Sequence, residues 1–183
     1  MSAVRDLQKM AVKLFAEPAA RLDLRDLIPV FHRWIREHAV EGVLVDVADY
    51  SHLPQSPGVV LVAHEADWAV DAAEGPLGLL YVRKAPRPGD LRARIAGAFK
   101  AAREACVKLQ SDPALGGRLK FRAAEGLFIA NDRLLAPNDA ATWEALRPDL
   151  QAAATEVLGP VALARDAADP RRRLTVQVQG PKS

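Results

Sequence analysis

The chain has 183 residues, half of them hydrophobic, and a net charge of +2. This length suits one domain, the apolar share excludes a disordered chain, and so small a charge gives no ground for a nucleic-acid partner. No apolar run approaches the roughly 20 residues that span a bilayer, and charges interrupt the N-terminal MSAVRDLQKMAVKLFAEP, so neither a membrane span nor a signal peptide is expected.

The periodicities predict a single α+β domain, a mostly antiparallel sheet with about four helices in the order α-α-β-β-β-α-β-β-α-β-β. Residues 3–16 fit an amphipathic helix: Ser2 stands where a cap would, Val4, Leu7, Ala11 and Leu14 recur at 3–4 spacing, and Pro18 follows. A second helix is expected from about Leu27 to Glu41, with Asp26 as N-cap and Gly42 beyond its end. The period then changes. Val43–Val47, Val59–His64 and Leu77–Val82 are rich in β-branched and apolar residues and are separated by the turn signals of 54–58 and 74–76. Arg87-Pro88-Gly89-Asp90 opens a long helix that Asp112-Pro113 ends. Strand signals return at Leu119–Phe121 and Leu127–Ala130. A fourth helix starts near Asn138 or Asp139 and ends before Gly159, with Pro148 expected to kink or restart it. Val161–Ala164 and Leu174–Val178 close the chain as a hairpin, and 180–183 read as a frayed tail.

Charge is unevenly placed. Residues 43–82 hold six acids and no Lys or Arg, whereas 83–122 hold eleven bases and three acids, a local net charge of +8. Such a division favours self-association of the acidic and basic segments. Solvated helix faces explain it as well.

The densest polar cluster is Asp46, Asp49, Tyr50 and His52, then His64, Glu65, Asp67 and Asp71. A hairpin of 43–49 with 58–65 puts opposite positions at a sum of 107, so Asp46 faces Leu61 and His64 faces Val43. His52 then lies at the loop tip, roughly 20 Å along the strand from His64, too far to share a metal. Alternation places His64 on the core face, and His38 lies on the apolar stripe of the preceding helix. A His38/His64 pair is therefore the metal or proton-transfer candidate. The alternative is two separately hydrogen-bonded histidines, since zinc needs a third ligand. Asp49, Tyr50 and His52 are the catalytic candidates, a His–Asp pair being able to act as general base. Turn closure is the competing explanation. Asn131-Asp132-Arg133 and Pro137-Asn138-Asp139 form a polar loop before the last helix, suited to a ligand or to capping. The one cysteine, Cys106, lies near a helical seam and reads as a buried structural thiol. It excludes an internal disulfide or Cys-based zinc site and fits a reducing, cytoplasmic compartment. No phosphate-loop, dinucleotide, zinc-protease or nucleophile-elbow motif is present.

Phe31-His32-Arg33-Trp34-Ile35, Asp46-Val47-Ala48-Asp49-Tyr50-Ser51-His52 and Ala130-Asn131-Asp132-Arg133-Leu134-Leu135-Ala136-Pro137-Asn138 resemble an uncharacterised bacterial protein family over most of the chain. That resemblance implies no activity and transfers no catalytic residue. The element order also resembles the GNAT acyltransferases, in which a glycine-containing turn before the central helix holds the pyrophosphate of acyl-CoA. The corresponding turn is Arg83-Lys84-Ala85-Pro86-Arg87-Pro88-Gly89-Asp90. The resemblance implies that Arg83, Lys84, Arg87 and Gly89 bind the cofactor, although two prolines remove amide donors there and the family's first strand is not apparent.

No cofactor is expected from the residues themselves. The first expectation is a non-catalytic association or regulatory protein acting as a homo-oligomer. It rests on the absence of a catalytic constellation and on strands apolar on both faces: Val43, Val45 and Val47 on one, Leu44, Leu61 and Ala63 on the other. A GNAT-like acyl-CoA-dependent transferase and a metal- or His-dependent enzyme are the alternatives.

Overall fold

The computed structural model describes residues 3–181 except 19, 54, 55 and 74. Ser2, Pro54, Glu74 and the last two residues of the tail therefore lie outside the described residues. The chain has an α+β fold with a mostly antiparallel sheet. Its elements are β1 (Met10–Ala16), α1 (Leu27–Glu37), β2 (Leu44–Asp49), β3 (Val59–Ala63), β4 (Ala66–Asp71), β5 (Gly78–Arg83), α2 (Leu91–Gln110), β6 (Phe121–Ala130), α3 (Ala140–Leu158), β7 (Ala162–Arg165) and β8 (Thr175–Gln179). The strands hydrogen-bond in the order β2-β3-β4-β5-β1-β6-β8-β7. By contacts the chain divides into two compact units, one of residues 1–12, 82–100 and 123–183, the other of 13–81 and 101–122.

The expected helix over 3–16 is not formed. A short 3-10 turn covers Ala3–Asp6 and a strand follows. Met10 to Leu14 and Ala16 are all buried, and a strand covered on both faces is apolar at every position instead of alternating. Such a run imitates a buried helix in periodicity, and Lys13 inside it completes the imitation. The described residues hold three α-helices, not four.

In the unit of residues 13–81 and 101–122, α1 ends earlier than expected. Asp26 makes no capping bond. Asp23 instead caps the 3-10 turn Leu24–Asp26 by accepting from Arg25 N. His38, not Gly42, ends the helix in the left-handed conformation, at φ 48°. Leu27, Val30, Phe31 and Trp34 form its buried face. β2, β3 and β4 make an antiparallel meander. The anticipated register sum of 107 holds at Leu44↔Ala63, then a bulge at Val45 shifts it, so that Asp46 faces Val62 and Val47 faces Leu61. β4 has no counterpart among the expected strands. Its Ala66, Trp68 and Val70 alternate with Asp67 and Asp71, and those carboxylates draw the eye to ligand chemistry. Leu61 pairs with Trp68 and Val59 with Val70, and the Trp68 ring meets Tyr81 edge-on at 5.3 Å. Gly58 leads into β3 at φ +68°, and a Cβ there would lie 2.4 Å from the Val70 carbonyl oxygen, so only glycine fits.

In the other unit, Leu127 and Ile129, which stood as a separate strand, belong to the single β6. β8 lies between β6 and β7, with Phe128 opposite Val176 and Leu163 opposite Val178, so the anticipated terminal hairpin is present. Asp139 caps α3 by accepting from Thr142 N at 2.7 Å. The helix runs unbroken through Pro148, with Leu146, Leu150, Ala153 and Val157 on its buried side.

Candidate functional site

The two histidines of the metal reading are on the surface. His38 is exposed at the end of α1. His64 is exposed in the two-residue turn between β3 and β4, its N–H donating to the Val43 carbonyl at 3.0 Å. The core-face expectation fails for His64 because β3 stops at Ala63 and the chain reverses at once. Among the described residues no group of three His, Cys, Asp or Glu is placed to hold a metal ion.

Asp49, Tyr50 and His52 are all exposed. The Asp49 carboxylate accepts from Ser51 N at 2.9 Å. The Ser51 side chain first, then this backbone bond, with the nearby His52 and Arg25, hold its carboxyl below the usual carboxylate range. Tyr50 N donates to the Gly58 carbonyl and Leu53 N to the Tyr50 carbonyl. The Asp49 carboxylate is therefore spent on its own turn.

The same stretch carries an apolar surface. Of six exposed large hydrophobic residues among those described, four lie on or beside edge strand β2: Val43 at 57%, Val45 at 53%, Tyr50 at 43% and Leu53 at 50%. Leu61 and Ala63, the expected opposite face, are buried. Among the described residues nothing pairs with the outer side of β2, and part of that edge is closed from within. Asp46 accepts from Val47 N at 2.7 Å, and Glu65 accepts from Val43 N at 3.0 Å. A carboxylate on an edge amide is a barrier to uncontrolled strand addition.

The turn at 83–90 holds its bases close to home. Arg83 donates to the carbonyls of Ala85 and Pro86, at 2.8 and 3.1 Å. Lys84 is half-buried. Arg87 N donates to Gln8 Oε1 at 3.0 Å, and Gly89 gives its carbonyl to Arg94 at 2.8 Å. Asp90 accepts from Ala93 N at 2.8 Å, so the positive end of α2 already faces a carboxylate. A strand does precede the helices: β1, which lies between β5 and β6.

The polar loop before α3 serves packing. Asn138 is buried and donates to the carbonyls of Asp166 and Asp169, while Asn131 accepts from Arg173 at 2.8 Å. Burial pushes the Cys106 thiol far up, which suits a structural residue.

One pair escaped the sequence reading. Lys13 Nζ on β1 meets Asp71 Oδ1 at the end of β4 at 2.8 Å, with side-chain exposures of 0% and 2%. Asp71 also accepts from Ala73 N at 3.1 Å. Strand β5 lies between β1 and β4, so the two side chains and their ion pair together bridge two strand spacings, about 9–10 Å of sheet. The signal was a lone charge in an apolar run. Comparison with protein-family models, with curated proteins and with solved structures finds no match for this chain.

Proposed function

We propose that this chain acts by association rather than catalysis, pairing with a second copy of itself through the β2 edge. The observation that carries the reading is the concentration of Val43, Val45, Tyr50 and Leu53 on one unpaired edge. Apolar exposure along an edge strand marks an interaction surface. A two-fold contact buries the same patch from both copies. The acidic composition of 43–82 beside the basic 83–122 supports attraction between copies.

Light scattering of the purified chain at high micromolar concentration tests it. A dimer or higher state is expected, and Val45→Lys, at an already exposed position, is expected to return the chain to monomer with its melting curve intact. A wild-type monomer at those concentrations removes the reading.

A further inference from the structure

The hydrogen-bonding groups of β2 alternate in a way that limits how its edge meets a partner. Tyr50 N donates to the Gly58 carbonyl at 2.8 Å, so position 50 turns its peptide groups towards β3. Alternation along an antiparallel pair puts Ala48 and Asp46 on that side too, opposite Val60 and Val62, and turns the N–H and C=O of Val47 and Asp49 outward. The Asp46 carboxylate sits on Val47 N at 2.7 Å, which fits an amide that β3 does not take. The pattern stops at either end. The bulge at Val45 breaks it on one side. On the other, Ser51 N donates to Asp49 Oδ1 and Leu53 N to the Tyr50 carbonyl, closing a turn. Regular outward pairing is therefore confined to Val47 and Asp49.

Two copies of such an edge meet antiparallel across a two-fold axis, and the axis can fall on Val47, Ala48 or Asp49. On Asp49 it sets two carboxylates directly opposite, which is repulsive, and pairs Val47 with Ser51, whose N–H is committed to the turn. On Val47 it pairs Asp49 with the bulged Val45. On Ala48 it pairs Val47 of each copy with Asp49 of the other, each pair exchanging both of its N–H···O bonds. No acid then stands directly opposite an acid. Asp46 faces Tyr50 of the second copy, and the two Asp49 side chains lie on the diagonal, about 7–8 Å apart, with Arg25 and His52 near each. The exposed apolar residues fit the same axis. Val43 and Val45 precede Ala48, while Tyr50 and Leu53 follow it, so each end of the patch meets the other end on the second copy.

Resting on the reading of β2 as the contact between copies, we propose that two chains join by antiparallel β2–β2 pairing centred on Ala48, with Asp46 as the gate. Pairing requires Asp46 to leave Val47 N, where the Asp49 carbonyl of the second copy takes its place. The Tyr50 hydroxyl of that copy donates to the displaced carboxylate.

Single cysteines test the axis. The chain's own Cys106 is buried and does not compete. Residues opposite each other at a non-hydrogen-bonded position stand about 4.5 Å apart at Cα, a distance at which a disulfide closes. Under mild oxidation Ala48→Cys is expected to give a covalent dimer. Val47→Cys and Asp49→Cys, each about 7–8 Å from its own copy, are expected to stay uncrosslinked. Hydrogen exchange of the unaltered chain is a second readout that needs no substitution. Protection at the Val47 and Asp49 amides is expected to rise with protein concentration, and protection at Ala48 to stay level. Cross-linking at Val47→Cys or Asp49→Cys in place of Ala48→Cys overturns the proposal. So does a wild-type dimer in which a folded Ala48→Cys chain gives no cross-link, or in which Asp49 gains no protection, and either result leaves self-association itself standing. A wild-type monomer at high micromolar concentration removes both.

Discussion

Lys13 and Lys100 each hold a carboxylate at 2.8 Å, in opposite surroundings. Lys13 and Asp71 are enclosed, with 0% and 2% of their side chains exposed, whereas Lys100 and Glu156 stand 55% and 39% in water. The distance is the same, and the energetics differ because the dielectric differs. Enclosing a charge costs several kcal/mol of hydration, which a well-placed partner offsets only as long as both charges remain. In water the cost and the gain are both small, and the pair is free to exchange. The buried pair is therefore a constraint on which strands lie where, and the exposed one is a replaceable contact.

The largest effect expected from this contrast is at Lys13. Lys13→Met keeps the stem but leaves Asp71 enclosed without its cation, and urea unfolding is expected to show a loss of about 3–5 kcal/mol. Lys13→Met with Asp71→Asn removes both charges and keeps an acceptor for Ala73 N. The double variant is expected to regain most of that loss. A double variant as unstable as the single one would mean that packing, not charge, dominates the site.

Next in size is an acid-dependent term on the exposed side of the comparison. The side chain and backbone N–H of Arg25 push the Asp23 carboxyl down to about 2, from 3.8. A depressed folded value means that the contribution is complete above the unfolded value and disappears as pH falls from 3.8 towards 2. Asp23→Asn is expected to flatten the stability–pH curve in that window and to leave it unchanged in shape at neutral pH. Equal slopes for the two proteins would show that the Asp23–Arg25 contact does not persist in solution.

The smallest effect is expected at Glu156. Lys100 first, then Arg92, hold its carboxyl below the usual range, yet the groups are solvated. Glu156→Gln is expected to leave the thermal midpoint essentially in place. A large drop would make this triad structural and would shrink its contrast with Lys13–Asp71.

The two pairs also mark how far the residues can be read without coordinates. The patterns at α2, α3, β3, β5 and the terminal hairpin are local: an apolar stripe at helical spacing, or a β-branched run between turn residues, needs no distant partner to be recognised. Asp90 and Asp139 announce helix starts because a cap acts on amides two or three residues away. β1 and β4 resisted the same reading for opposite reasons. β1 is buried on both faces, so its alternation is erased. β4 carries Asp67 and Asp71 at alternate positions, but these joined a string of acids and histidines that looked like ligands, and Asp71 is in fact buried. At the catalytic candidates the residue types were visible and the geometry was not. Asp49 closes a turn, and His64 is exposed because β3 ends one residue before it.

Composition and periodicity determined the α+β class, the mostly antiparallel sheet, the positions of the long helices and the structural role of Cys106. Tertiary structure alone decided that β1 runs between β5 and β6, that Lys13 reaches Asp71 across a strand, that the bulge at Val45 resets the register of β2, and that Arg87 shares a cleft with Glu156. The reason is range. Helix stripes, caps and turns are set by neighbours within a few residues, whereas strand order, two-sided burial and the pairing of charges 58 residues apart, as in Lys13 and Asp71, depend on which segments remain in contact once the whole chain has excluded water from its core.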